Sequence, residues 1–187
     1  MTDAAGGEAT GFRIVDDTTV WRGSRIHAGA VRVAAPDGSV IERDVVHHPG
    51  AVGVVPLHDD GTVTLVRQYR VSIDADAWEI PAGLRDVDGE PTDETARREL
   101  VEEAGLSAGR LEFLVGFHNS PGFTDERVEV YLATDLAAVP DDRQGVEEAH
   151  MVVERVSLDA ALGWIDDGRI TDAKTVIALL LVARRRA

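Results

Sequence analysis

One segment, from Thr92 to Gly105, carries the marks of a helix and stands between two blocks of sequence patterned as strands. Thr92 or Asp93 can cap it, Glu94 falls in its first turn, and Ala96, Leu100 and Ala104 recur at intervals of four. Gly105 ends it, because glycine adopts the left-handed closing conformation at little steric cost. Upstream, residues 18–70 hold β-branched runs at 31–34, 51–57 and 63–68. Pro36-Asp37-Gly38 and Asp59-Asp60-Gly61 separate them with residues tolerant of turn dihedrals, the usual hairpin signal. Strand patterning returns at 111–117, 128–133 and 151–156. Two further helices are expected, over 158–166 and from a Thr171 or Asp172 cap towards Arg186. Strands before and after helices, without regular alternation of the two, predict an α+β fold with a layered, mixed sheet.

The 187 residues can close one substantial core, and neither an internal repeat nor an inter-domain linker interrupts them. With 44% apolar and 28% charged residues, disorder over the whole length is excluded. Nineteen basic residues against 34 acidic ones leave a formal charge of −15. Such a balance argues against nucleic acid or an anionic membrane as partner, because counterion release needs clustered Lys and Arg. No cysteine occurs, which removes disulfides, thiolate metal sites and a cysteine nucleophile, and a reducing compartment is the natural reading. Residues 1–11 lack the basic and apolar regions of a secretory signal, and the apolar run 176–183 is far below the ~20 residues of a spanning helix. The expectation is a soluble, cytoplasmic protein whose first residues, 1–17, form a flexible tail.

Chemistry concentrates on the helix. Glu99, Glu102 and Glu103 stand at i, i+3 and i+4 and share one face. They repel one another by a few tenths of a kcal/mol per pair, roughly, and they lie near the helix C-terminus, where the macrodipole also disfavours anions. Hard divalent cations favour the arrangement, since Mg²⁺ takes oxygen ligands and completes its shell with water and phosphate oxygens. A solvated acidic face is the plain alternative for any Glu-rich helix. His47-His48 has no third nitrogen at zinc-ligand spacing. Arg184-Arg185-Arg186 suits the last turn of a helix, and Trp164 and the run 179–181 read as core.

Before the helix lies Trp78-Glu79-Ile80-Pro81-Ala82-Gly83, then a loop to Gly89-Glu90, and seven residues separate Glu90 from Arg98. This block resembles the Nudix box of the Nudix hydrolases. Glu90, Arg98, Glu99, Leu100, Glu102, Glu103, Gly105 and Leu106 match its pattern in place. Gly83 departs from it, because six residues rather than five precede Glu90, so the loop is one residue longer. Arg67-Gln68-Tyr69-Arg70 and Ser120-Pro121-Gly122-Phe123-Thr124-Asp125-Glu126 are similar to the ADP-ribose pyrophosphatase branch, in which a proline lies about as far past the box as Pro121. The loop 82–90 looks like that of actinobacterial members, and the resemblance covers residues 18–182.

That resemblance implies an α/β/α sandwich around a mixed β-sheet over 48–187, preceded at 18–47 by an N-terminal antiparallel β subdomain that dimers swap, so a homodimer is expected. It implies hydrolysis of ADP-ribose to AMP and ribose 5-phosphate, by water attack at phosphorus, with two or more Mg²⁺ or Mn²⁺ ions. Glu99, Glu103 and Glu102, with the backbone carbonyl of Ala82, would be the metal ligands. The general base would come from a loop at 140–150, as Glu148 or else Glu147. Gly83, Glu90, Arg98 and Gly105 would be structural parts of the motif. Arg70 would pair with phosphate, while Ser120 and Glu126 would bind the terminal ribose. Trp21 would stack on adenine or else sit in the core, with Arg22 and Arg25 near phosphate or exposed. Other readings are a Nudix hydrolase of a different nucleoside diphosphate derivative, such as an NDP-sugar, dinucleotide or oxidised nucleotide, and a Nudix-fold binding module without catalysis.

Overall fold

The computed structural model describes residues 11–140 and 150–186, which form two compact units. The first runs up to Pro49 and includes Ser120–Glu126; the second comprises Gly50–Asn119 and the chain from Arg127 onward.

In the first unit, strands β1 (Arg13–Arg22), β2 (His27–Ala34) and β3 (Val40–His47) form an antiparallel sheet in that order. β1 starts inside the stretch expected as a tail, because Arg13 pairs with Ala34 and the hairpin extends that far. The expected turn closes β2 to β3. Asp37 Oδ1 accepts the Ser39 N–H at 2.9 Å, and Gly38 takes φ 85°. The segment 120–126 is fastened to β3: Val46 N–H donates to the Phe123 carbonyl at 2.7 Å, and Asp125 N–H donates back to the Val46 carbonyl. His47 Nδ1 lies 2.7 Å from Asp125 Oδ2 and its Nε2 lies 3.2 Å from Asp17, while the His48 N–H donates to Asp125. The histidine pair thus ties β1, β3 and this segment together.

The second unit holds β4 (Ala51–Pro56), β5 (Thr62–Arg70), β6 (Ala75–Glu79), β7 (Ala82–Leu84), α1 (Thr92–Ala104), β8 (Leu106–His118), β9 (Arg127–Ala138), β10 (Val152–Ser157), α2 (Leu158–Asp166) and α3 (Ala173–Arg186). One sheet, ordered β7-β4-β9-β8, is mixed: β4 runs parallel to β9 and antiparallel to β7. The other, β10-β5-β6, is antiparallel. Period-two alternation explains the layering. Val52 and Val54 of β4, with Tyr131 and Ala133 of β9, pack against Ala96 and Leu100 of α1. Val55, Val128 and Val130 belong instead to the core shared with Ala161 of α2 and Ala178, Leu179 and Val182 of α3. Helices therefore cover both faces, giving the expected α/β/α sandwich around a mixed sheet.

Three local expectations change. Neither Thr92 nor Asp93 caps α1: Pro91 is the N-cap with no side-chain hydrogen bond, and the Thr92 hydroxyl donates to Glu129 at 2.8 Å instead. Leu180 is exposed although its neighbour Leu179 is fully buried, since consecutive helical residues point about 100° apart. β8 is longer than the patterned run because its pairing with β9 extends from Leu106 to His118. Asp172 does cap α3, accepting the Thr175 N–H at 2.9 Å, and Ser157 caps α2. Among the described residues, no helix is long and apolar enough to cross a membrane.

Candidate active site

Burial of Ala96 and Leu100 under the mixed sheet sets the rotation of α1 about its axis. With that face fixed, Glu99 and Glu103 turn inward towards β7 and are buried, while Glu102 is half-buried. The Ala82 N–H donates to Glu103 Oε2 at 2.8 Å. A Cβ on Gly83 would lie 2.0 Å from the Glu99 carboxyl carbon, so only glycine lets strand and carboxylate approach this closely. Burial, reinforced by the charge of Glu99, pushes the Glu103 carboxyl up to about 8, against the opposing pull of the Ala82 N–H, Arg70 and Lys174.

Arg98 joins the loop to this face. Its Nη1 donates to Glu99 at 2.7 Å and to Glu102 at 3.1 Å, and its Nη2 donates to Glu90 at 3.4 Å. Glu90 also accepts from the Thr95 hydroxyl at 2.8 Å, and these two donors hold its carboxyl below the usual range. Burial lowers the Arg98 guanidinium's proton affinity, but Glu90, Glu99 and Glu102 outweigh it and the net direction is upward. The loop reaches Glu90 through a turn in which the Glu90 N–H donates to the Val87 carbonyl and Gly89 takes φ 76°. Gly105 closes α1 in the left-handed conformation, φ 61°, donating to the Val101 carbonyl at 3.0 Å.

A second charged group adjoins this one. Glu79, at the end of β6, has a side chain only 2% exposed and receives both Nε and Nη2 of Arg70, each at 2.6 Å. Lys174 Nζ donates to the same carboxylate and, at 3.0 Å, to Asp172. Desolvation raises the Glu79 pKa, but the two cations overcome it and hold the carboxyl below its ordinary value. Arg70, expected to meet phosphate, is thus paired with a carboxylate here. Sequence reasoning assigned no role to Glu79 or Lys174. The available signal was compositional, since Lys174 is the single lysine among 19 basic residues.

Ser120, Glu126, Trp21 and Arg25 belong to the first unit. The Ser120 carbonyl accepts from Phe123 and Thr124, and Glu126 N–H donates to the Thr124 hydroxyl at 3.1 Å. Trp21 is 56% exposed, which removes the core reading, and its indole lies over Gly23. Arg22 and Arg25 are exposed at the β1–β2 turn. Glu147 and Glu148 lie outside the described residues.

The donor set on α1 fits a hard divalent cation. Among the described residues no group of three or more His, Asp or Glu side chains is placed to hold a metal ion by itself. Mg²⁺ needs none, since it commonly takes one or two carboxylates and leaves its remaining positions to water and substrate phosphate. Two buried acids side by side, one of them driven towards its neutral form, are what a divalent charge would relieve.

A sandwich of this topology, with a glutamate-bearing helix packed against the Ala-Gly-Leu strand β7, defines a class. The family profile described as the NUDIX domain matches residues 47–179, and the chain belongs to the Nudix family. Within it, the chain is 40% identical to the ADP-ribose pyrophosphatase of Mycobacterium tuberculosis strain H37Rv, over 84% of this chain and 79% of that protein. It is 37% identical to the ADP-ribose pyrophosphatase of Bacillus subtilis strain 168, over 83% of each. A crystal structure of an ADP compounds hydrolase superposes with a TM-score of 0.79 at 25% identity, covering 92% of both chains.

Proposed function

We propose that this protein is a metal-dependent Nudix hydrolase that cleaves the diphosphate of ADP-ribose to AMP and ribose 5-phosphate by attack of water at phosphorus. The observation that carries this reading is the pair of buried carboxylates, Glu99 and Glu103, held against Ala82 and Gly83. The two relatives named as ADP-ribose pyrophosphatases supply the substrate.

Glu99, Glu103 and Glu102, with the Ala82 carbonyl, would hold Mg²⁺ or Mn²⁺, two or more ions in all. When bound, the metal neutralises diphosphate charge and acidifies water. Arg98 donates to both Glu99 and Glu102 and so keeps their carboxylates oriented. Arg70 contributes a planar fork that matches phosphate oxygens. Glu148, or Glu147 in its place, takes the proton of the attacking water. The hydroxyl of Ser120 and the carboxylate of Glu126 suit the ribose diol, the exposed indole of Trp21 suits adenine, and Arg25 suits phosphate. We further infer a homodimer and, from the lack of cysteine, a cytoplasmic location.

A substrate panel tests this: ADP-ribose, NDP-sugars, NADH, dinucleoside polyphosphates and oxidised nucleotides, each with Mg²⁺ and with products identified by mass. ADP-ribose should be among the good substrates, and a panel in which only another class turns over would move the assignment to that class. Glu103→Gln should reduce kcat by more than roughly 100-fold, the upper end for losing a group that merely orients a metal ligand. Metal-dependent turnover that survives this change would remove Glu103 from the metal site.

A further inference from the structure

We infer that Lys174 is a positioning residue for Arg70: it keeps the buried charge of Glu79 paired so that Arg70 is free to turn to the substrate. The inference rests on the reading that Arg70 binds the diphosphate. Glu79 is almost fully buried and holds two cations where one would neutralise it.

Those cations differ in freedom. Lys174 is 12% exposed and sits in the first turn of α3. That turn is pinned, because Asp172 accepts the Thr175 N–H and the Thr175 hydroxyl, and Thr175 Oγ1 in turn accepts the Ile80 N–H at 2.9 Å. Ile80 follows Glu79 directly, so the helix end carrying the ammonium is fastened to the segment carrying the carboxylate. Arg70, at the end of β5, is 39% exposed and can rotate outward.

If Arg70 were the sole partner, its departure would strand an ionised carboxylate in the interior, which is strongly unfavourable. Arg70 would then stay on Glu79 and compete poorly for phosphate. With Lys174 in place, Glu79 keeps a charge-assisted partner after Arg70 leaves, and Asp172, which accepts from the same ammonium at 3.0 Å, helps to hold Nζ in place. A compact ammonium suits this task, since it satisfies one carboxylate oxygen while the planar guanidinium takes both.

The test compares KM and kcat for ADP-ribose with Mg²⁺ in four variants. Arg70→Met should raise KM about tenfold or more, the size of a lost charge-assisted hydrogen bond. Lys174→Met should raise KM to a similar degree with a smaller change in kcat, because Arg70 is then held on Glu79. Lys174→Arg should lie nearer the parent. The double variant Lys174→Met with Glu79→Gln should bring KM back towards the parent value, since no buried anion then retains Arg70. It also guards the test against a Lys174→Met protein that folds poorly, because the stranded charge is gone. A raised KM in Arg70→Met beside a parental KM in Lys174→Met overturns this inference alone. A double variant as impaired as Lys174→Met also overturns it, by making the effect structural. A parental KM in Arg70→Met overturns the phosphate role of Arg70 and this inference with it.

Discussion

Gly83 and Gly89 bracket the same loop yet need glycine for different reasons. A Cβ at Gly83 would collide with the Glu99 carboxylate, whereas one at Gly89 meets nothing within 4 Å but would stand on a backbone of φ 76°. Gly83→Ala should therefore displace a proposed metal ligand, lowering kcat and Mg²⁺ affinity while costing about 1–3 kcal/mol of stability from overpacking. Gly89→Ala should cost about 1 kcal/mol through backbone strain and leave kcat near the parent. Chemical denaturation and steady-state kinetics on both variants check this, and equal kinetic losses would refute the distinction. At this scale the sequence was informative where partners are close along the chain. Glu99, Glu102 and Glu103 share a face because three and four residues make one helical turn, and the structure has the inner two buried. The pairing of Glu79 with Lys174 joins positions 95 apart, so no periodicity could reveal it.

Among the elements, α1 was legible throughout its length because its apolar repeat and terminal glycine act locally, while its N-cap differs from the expectation because tertiary contacts claim the Thr92 hydroxyl. β8 was underestimated for the same kind of reason, its outer residues being held by pairing with β9 rather than by their own patterning. The helix also carries a pH signature. Glu103 has an ordinary value of 4.5 and is raised to about 8, so the fold prefers its neutral form. Its contribution is intact below about 4.5 and is lost as pH rises through about 8, which makes the metal-free protein less stable over that interval. A bound divalent cation favours the ionised carboxylate and reverses the trend. The Mg²⁺-induced rise in Tm should accordingly be larger at about pH 8.5 than at about pH 6. A rise in Tm that is independent of pH would separate Glu103 from the metal.

At the scale of the whole molecule, the chain carries a charge of −15, and among the described residues the buried acids are Glu79, Glu99 and Glu103. A negative net charge is thus compatible with a diphosphate reached through cations. The sandwich was predictable from strand and helix order together with the box, whereas membership of the segment 120–126 in the N-terminal unit was not, since it depends on hydrogen bonds to Val46 and His48. That unit leaves Phe12, Ile14, Val20 and Trp21 exposed, apolar side chains that the proposed homodimer would cover. Light scattering should report twice the chain mass, and Val20→Asp should shift it towards the monomer; a parent protein that is monomeric at all concentrations would contradict the homodimer. Lys174 has one more consequence. The folded protein offers a single lysine, mostly covered and held by two carboxylates, so acylation or any lysine-directed mark has one side-chain target, and that target is largely shielded. The reactivity of that one amine should thus report how firmly the start of α3 is held.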